Sequence, residues 1–84
     1  MTELNEDTMM KIDGFDDAIR GVMMHDVGLG PLPVLVYQIQ DILHTLRERD
    51  GMTFEEAFEF FEFNIEQAYV GPQSPVFISE YHGD

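Results

Sequence analysis

The chain of 84 residues contains no cysteine, few basic residues and no long apolar run. Without cysteine it can form neither disulfides nor thiolate metal sites, and it has no cysteine nucleophile. Its apolar stretches fall well short of the roughly 20 residues that a membrane-spanning helix needs, and the N-terminus lacks the basic and apolar regions of a signal peptide. We therefore expect a cytoplasmic protein without membrane contact.

The scarcity of positive charge excludes a second class of partner. Seventeen acidic residues face four basic ones, and the formal net charge is −13. Neutralising phosphates requires lysine and arginine, so direct binding of nucleic acid is not expected. Such a charge keeps a small protein in solution, and it also attracts basic surfaces.

Apolar and aromatic residues are plentiful, which indicates a folded chain. The hydrophobic fraction is 44%, with seven phenylalanines and three tyrosines, and this is too apolar for a disordered protein. The length predicts a single domain over residues 1–84, with residues 1–8 polar, acidic and flexible.

Three segments have the composition of strands. Residues 18–24 are apolar on both faces, which predicts a strand well inside a sheet. Glycines and prolines in residues 25–33 predict a loop, and the β-branched and aromatic residues 34–37 predict a second strand. Residues 76–78 predict a short third strand.

Two segments have helical periodicity. Ile39, Ile42, Leu43 and Leu46 fall on one stripe, and Gly51 provides a left-handed stop. Residues 54–69 predict a second helix that begins with a Thr53–Glu56 capping box. The second helix has one apolar face, formed by Phe54, Ala57, Phe58, Phe61, Ile65, Ala68 and Tyr69. The fold class is α+β: a small antiparallel or mixed sheet of about three strands, in the order β-β-α-α-β, covered by a helical hairpin.

Motifs that carry chemistry are missing. The three histidines are not spaced as paired metal ligands, and a structural zinc site usually needs four ligands. The acidic cluster at residues 13–17 lacks the spacing of a calcium loop, and neither Ser74 nor Ser79 lies in a nucleophile elbow. We expect no catalytic residues, no metal and no cofactor.

The second helix carries two features that suggest a binding surface. Glu55, Glu59, Glu62 and Glu66 line up along one edge as an acidic row, either as a solvated face or as an imitation of a phosphate backbone. Phe60 and Phe63 lie off the apolar stripe. These two rings are either buried by another segment of the chain or exposed as a partner site or homo-oligomer contact. The predicted partner-binding residues are Glu55, Glu59, Phe60, Glu62, Phe63 and Glu66.

Three sequence blocks resemble short uncharacterised proteins of tailed bacteriophages and prophages. The blocks are Asp13-Gly14-Phe15-Asp16-x-Ala18-Ile19-x-Gly21-Val22, Arg49-Asp50-Gly51-Met52-Thr53-x-Glu55-Glu56-Ala57 and Glu62-Phe63-Asn64-x-x-x-x-Ala68-Tyr69-Val70-Gly71. The resemblance implies a phage origin and expression in the cytoplasm of a bacterial host cell. It implies no activity and no site residues.

Together these features favour a non-catalytic accessory protein that binds a host or phage protein. One alternative is an acidic DNA mimic that inhibits a host defence nuclease or another DNA-binding protein. Another is a small-molecule-binding protein whose pocket is lined by the loop at residues 28–33 and by Tyr37, Tyr69 and Tyr81.

Overall fold

A computed structural model describes residues 9–26, 28, 30–69 and 71–79 of the chain. Residues 1–8, for which the sequence predicts flexibility, lie outside this part. The described elements are β1 (Ile19–Asp26), β2 (Pro31–Gln38), α1 (Ile39–Asp50), α2 (Phe54–Phe60) and β3 (Val76–Ile78). A short 3-10 helix (Asp16–Ala18) precedes β1, and a π-helical segment (Phe61–Glu66) continues α2. The predicted α+β class and element order are confirmed.

The sheet is mixed, with strand order β1-β2-β3. Strands β1 and β2 form an antiparallel hairpin, whereas β3 pairs with β2 in parallel. The loop predicted for residues 25–33 is wrong at both ends, because β1 continues to Asp26 and β2 begins at Pro31. The turn is shorter than predicted since Asp26 Oδ1 accepts a hydrogen bond from the Gly28 N–H at 2.8 Å, a local bond that closes tight turns.

The prediction that the first strand lies well inside the sheet is wrong. Strand β1 is at the edge, and Val22, Met23 and Met24 are 52%, 41% and 45% exposed. Parallel pairing of β3 with β2 makes β2 the central strand instead. A strand that is apolar on both faces is typical of a buried position, but here the topology outweighs that tendency.

The core lies between the central strand and the helices. Tyr37, Ile42 and Leu46 are completely buried, and Ala57, Phe61 and Ile65 of the second helical region pack into the same cluster. The Tyr37 hydroxyl oxygen accepts a hydrogen bond from the backbone N–H of Ile12 at 2.9 Å. This bond fastens the segment before β1 to the middle of the sheet.

The predicted helix boundaries between α1 and α2 are confirmed. Gly51 adopts a left-handed conformation with φ of 69°, and its N–H donates to the Leu46 carbonyl. Thr53 Oγ1 accepts from the Glu56 N–H at 3.2 Å, and Glu56 Oε1 accepts from the Thr53 N–H at 2.9 Å. These two reciprocal bonds form the capping box that the sequence predicts.

The second helix ends earlier than predicted and changes its winding. It stops at Glu66 rather than at Tyr69, and from Phe61 onward it is a π-helix. A π-helix closes i→i+5 rather than i→i+4 bonds, so residues five apart approach the same side. Phe60, the last residue of α2, packs partly buried against the core. No helix in the described part of the chain is long and apolar enough to cross a membrane.

Candidate functional site

The acidic row lies on the outer side of α2 and the π-helical segment. Glu55, Glu59 and Glu66 are exposed, and Glu62 is half-buried. The ion pairs in the described part of the chain are Lys11–Asp16, Arg20–Asp41 and Arg49–Asp50, and none of them includes a member of the row. The four carboxylates therefore keep their charge available to a partner.

Three of the four basic side chains are engaged elsewhere. A hydrogen bond to Asp16 raises the pKa of Lys11, and Arg20 pairs with Asp41 of α1. Arg49 donates to the Gly14 carbonyl at 2.9 Å and stacks over the Phe15 ring at 4.9 Å. The same guanidinium lowers the pKa of Asp50 through a side-chain hydrogen bond. The positive charge of the chain thus serves internal contacts, mostly around the start of β1 and the end of α1.

Exposed aromatic rings flank the acidic row. Phe63 is 65% exposed, and Phe54 and Phe58 are 55% and 42% exposed. The last two rings stack on each other with centroids 6.3 Å apart and an interplanar angle of 23°. Sequence reasoning placed Phe54 and Phe58 on the buried face and missed this pair. The buried line runs through Ala57, Phe61 and Ile65 at i, i+4 and i+8, so Phe58 lies just outside it.

Helical geometry places the acidic row between the two groups of rings. With about 100° between successive residues, Phe54 and Phe58 lie roughly 60–100° from the buried direction of Ala57. Glu55 follows at about 160° and Glu59 at about 200°, and Phe63 lies at roughly 200–240°. We call the three exposed rings together with the acidic row the α2 outer face. It is a band of carboxylates with an apolar flank on either side.

Phe60 and Phe63, which the sequence treats as a pair, are separated by the structure. Phe60 packs against the core and Phe63 points away from it. A helical wheel drawn with the α-helical period places Phe60 away from Ile65. Nothing in the sequence of residues 60–63 indicates the change to π winding that the structure shows.

A shallow groove adjoins Phe54, at the boundary between the two helices. Its volume is about 240 Å³, and it is lined by Gln40, Leu43, His44 and Arg47 together with Phe54. The groove is open to solvent on the same flank as the Phe54–Phe58 pair. It extends the apolar side of the α2 outer face toward α1.

The structure describes two of the three tyrosines proposed to line a small-molecule pocket, and both belong to or pack against the hydrophobic core. The Tyr37 ring is buried in the core, Tyr69 is half-buried, and Tyr81 lies outside the described residues. His25 and Asp16 are both exposed. Among the residues that the structure describes, no three His, Asp or Glu side chains come together as a metal site.

The α2 outer face can bury aromatic rings against a partner on both sides of its carboxylates, while the acidic row between them meets cations. Aromatic residues are enriched where protein interfaces are fully buried. Comparison of the chain with protein-family models, curated proteins and solved structures finds no match.

Proposed function

We propose that the chain is a non-catalytic, phage-encoded accessory protein that binds a host or phage protein in the bacterial cytoplasm. The binding surface is the α2 outer face. The observation that carries this proposal is the exposure of Phe54, Phe58 and Phe63 on both flanks of carboxylates that form no ion pair within the described residues. The sequence blocks that resemble tailed-phage proteins support the origin and the compartment.

Exposed aromatic rings favour a protein as the partner. Phenylalanine side chains bury a large apolar area on association, and aromatic residues are enriched at the cores of interfaces. Energetic hot spots need such anchors surrounded by groups that exclude water. The partner surface that fits is a lysine- or arginine-rich strip with apolar pockets on both sides, because the acidic row lies between the rings, attracts positive charge and speeds encounter.

The geometry favours protein binding over DNA mimicry. A mimic requires carboxylates in a regular line, whereas the change from α to π winding at Phe61 makes the spacing of the acidic row irregular. The exposed rings also have no counterpart in a phosphate backbone. A DNA mimic would bind through charge alone, so its binding would survive loss of the rings, whereas binding through the α2 outer face would weaken.

The test is quantitative affinity capture from a lysate of infected bacteria, with the wild-type chain and ring variants as baits. We expect Phe63→Ala and the double variant Phe54→Ser/Phe58→Ser each to lower recovery of the partner at least about tenfold, as loss of a hot-spot ring does. Ile78→Thr is the matched control, because it alters a side chain of similar exposure on β3. The control should recover the partner at the wild-type level.

A second set of baits separates the contributions of rings and charge. Replacing the four glutamates of the acidic row by glutamine should slow association and weaken the dependence on salt, while the rings still support measurable binding. Binding that survives loss of all three rings but disappears with the glutamates would support the mimic instead. Partner recovery that is indifferent to both sets of changes would overturn the α2 outer face as the site.

A further inference from the structure

The outer edge of β1, the edge strand of the sheet, forms a second exposed surface, separate from the α2 outer face. Within the described residues no strand pairs with this edge, and β2 is the element with which β1 makes extended contact. Residues 22–26 are all exposed. Neither proline nor lysine, residues that commonly protect edge strands, occurs in β1, and the β-bulge in its pairing is confined to its start, between Ile19 and Gly21. The edge is thus open to another strand.

Pro33 of β2 indicates which residues of β1 direct their backbone N–H and C=O groups to the open edge. Pro33 lies opposite Met24, and its carbonyl accepts a hydrogen bond from Gln73 Nε2 at 2.9 Å, on the side away from β1. The Met24–Pro33 pair is therefore a non-hydrogen-bonded pair of the hairpin. Antiparallel pairs alternate, so Val22 and Met24 both direct their N–H and C=O groups to the open edge, whereas Met23 directs its groups to β2.

The charge distribution favours a second copy of the same chain at this edge. Between residues 18 and 40 the sequence contains one acidic residue, Asp26, and one basic residue, Arg20. The hairpin is therefore electrically neutral within a chain of net charge −13. Another copy can approach here with less repulsion than at the acidic helices.

We propose that two copies pair through antiparallel β1 strands, with the two Met23 residues facing each other at the twofold axis. In this register Val22 lies opposite Met24 of the second copy, so the outward backbone groups meet as hydrogen-bonded pairs. Arg20 lies at the bulge that begins β1, and in this register the residue of the second copy nearest to it is Asp26, so symmetry provides this charge pair twice. The two three-stranded sheets then join into one continuous sheet.

Neighbouring registers lack this complementarity. A shift that places Met24 opposite Met24 sets Val22 against Asp26, and the opposite shift sets Arg20 against Met24. A shift by a single residue brings outward groups against groups already bonded within the hairpin. The existing bond from Arg20 to Asp41 is compatible with the proposed pair, because a guanidinium has five N–H donors.

Single-cysteine variants test the register directly, because the chain has no cysteine of its own. Facing residues of a non-hydrogen-bonded pair have Cα atoms about 4.5 Å apart, within disulfide range. Met23→Cys should therefore give nearly complete disulfide dimer under mild oxidation. The diagonal separation in Met24→Cys is about 7–8 Å, which is too long, and this variant should cross-link at least about tenfold more slowly.

Mass measurement by light scattering or sedimentation tests the association itself. The wild type should have twice the 9.7 kDa monomer mass. Met24→Lys should give a monomer with an unchanged circular dichroism spectrum, since it adds a charge only at the edge. Phe63→Lys, on the α2 outer face, should remain dimeric, and this result separates the two proposals.

Three results would overturn the paired edge: a monomeric wild type, faster cross-linking at residue 24 than at residue 23, or a dimer that Met24→Lys leaves intact. A monomeric wild type would mean that this edge pairs with some other strand, from the rest of the chain or from a different protein.

Discussion

Replacing Tyr37 with phenylalanine removes one hydroxyl group from the centre of the sheet and leaves the ring in place. The hydroxyl oxygen accepts the Ile12 N–H at 2.9 Å, and both residues are buried. A buried donor that loses its partner costs about 1–3 kcal/mol, because water cannot replace the bond. The free energy of unfolding should therefore fall by about 2 kcal/mol at neutral pH. For a domain of this size the melting temperature should fall by about 4–8 °C per kcal/mol.

The same variant has a pH signature. Burial is the largest cause of the raised pKa of Tyr37, opposed by the hydrogen bond from Ile12. The folded chain thus keeps this proton at a pH where the unfolded chain has lost it. The contribution of the Tyr37 hydroxyl to the free energy of unfolding is fully present below the ordinary tyrosine pKa of about 10, and it decreases as the pH rises above that value. The stability difference between wild type and Tyr37→Phe should therefore narrow above about pH 10.

Urea unfolding followed by circular dichroism at neutral and alkaline pH measures both effects. Tyr69→Phe is the control, because it removes the same group from a half-buried ring without affecting the Ile12 bond. Its effect should be within about 0.5 kcal/mol. Equal stability of Tyr37→Phe and wild type at neutral pH, or a difference that grows at alkaline pH, would refute the role given to this hydroxyl.

Two further pairs of substitutions test α2 and the π-helical segment by thermal or urea unfolding. Phe61→Ala should destabilise the fold by about 3–5 kcal/mol, because this buried ring meets Phe77 edge-on with centroids 5.1 Å apart. Phe63→Ala is the same change on the exposed side, and it should cost less than about 0.5 kcal/mol. Similar losses for the two would contradict the placement of the rings. Thr53→Ala should cost about 1 kcal/mol through loss of the cap on the Glu56 N–H, and Thr53→Ser should recover most of this stability. An unchanged unfolding midpoint for Thr53→Ala would show that the capping box contributes nothing.

Local chemistry in the sequence predicts the parts of the fold that depend on neighbouring residues. Gly51 and the Thr53–Glu56 box determine where α1 ends and α2 begins, since caps act within one turn. The place of β1 in the sheet depends instead on how β3 pairs with β2, a contact between distant segments that composition does not encode. For the same reason the apolar strand that the sequence places inside the sheet lies at its edge.

The candidate site was predictable only in part. Exposure of Phe63 and of Glu55, Glu59 and Glu66 follows from a helical wheel, and the structure agrees with it. The wheel fails for Phe60 because the helix changes to π winding at Phe61. It also fails for the Phe54–Phe58 pair, since the width of the buried stripe depends on how far α1 reaches across α2.

The parallel pairing of β2 with β3 has a consequence for synthesis on the ribosome. Val36 pairs with Val76, and both helices lie between them in the chain. The β1–β2 hairpin can close as soon as its own residues emerge, but one side of β2 then lacks its neighbour until both helices and β3 have been synthesised. Contacts between such distant segments form slowly. The nascent hairpin is therefore the stage of biogenesis at which unpaired backbone is most open to misassembly.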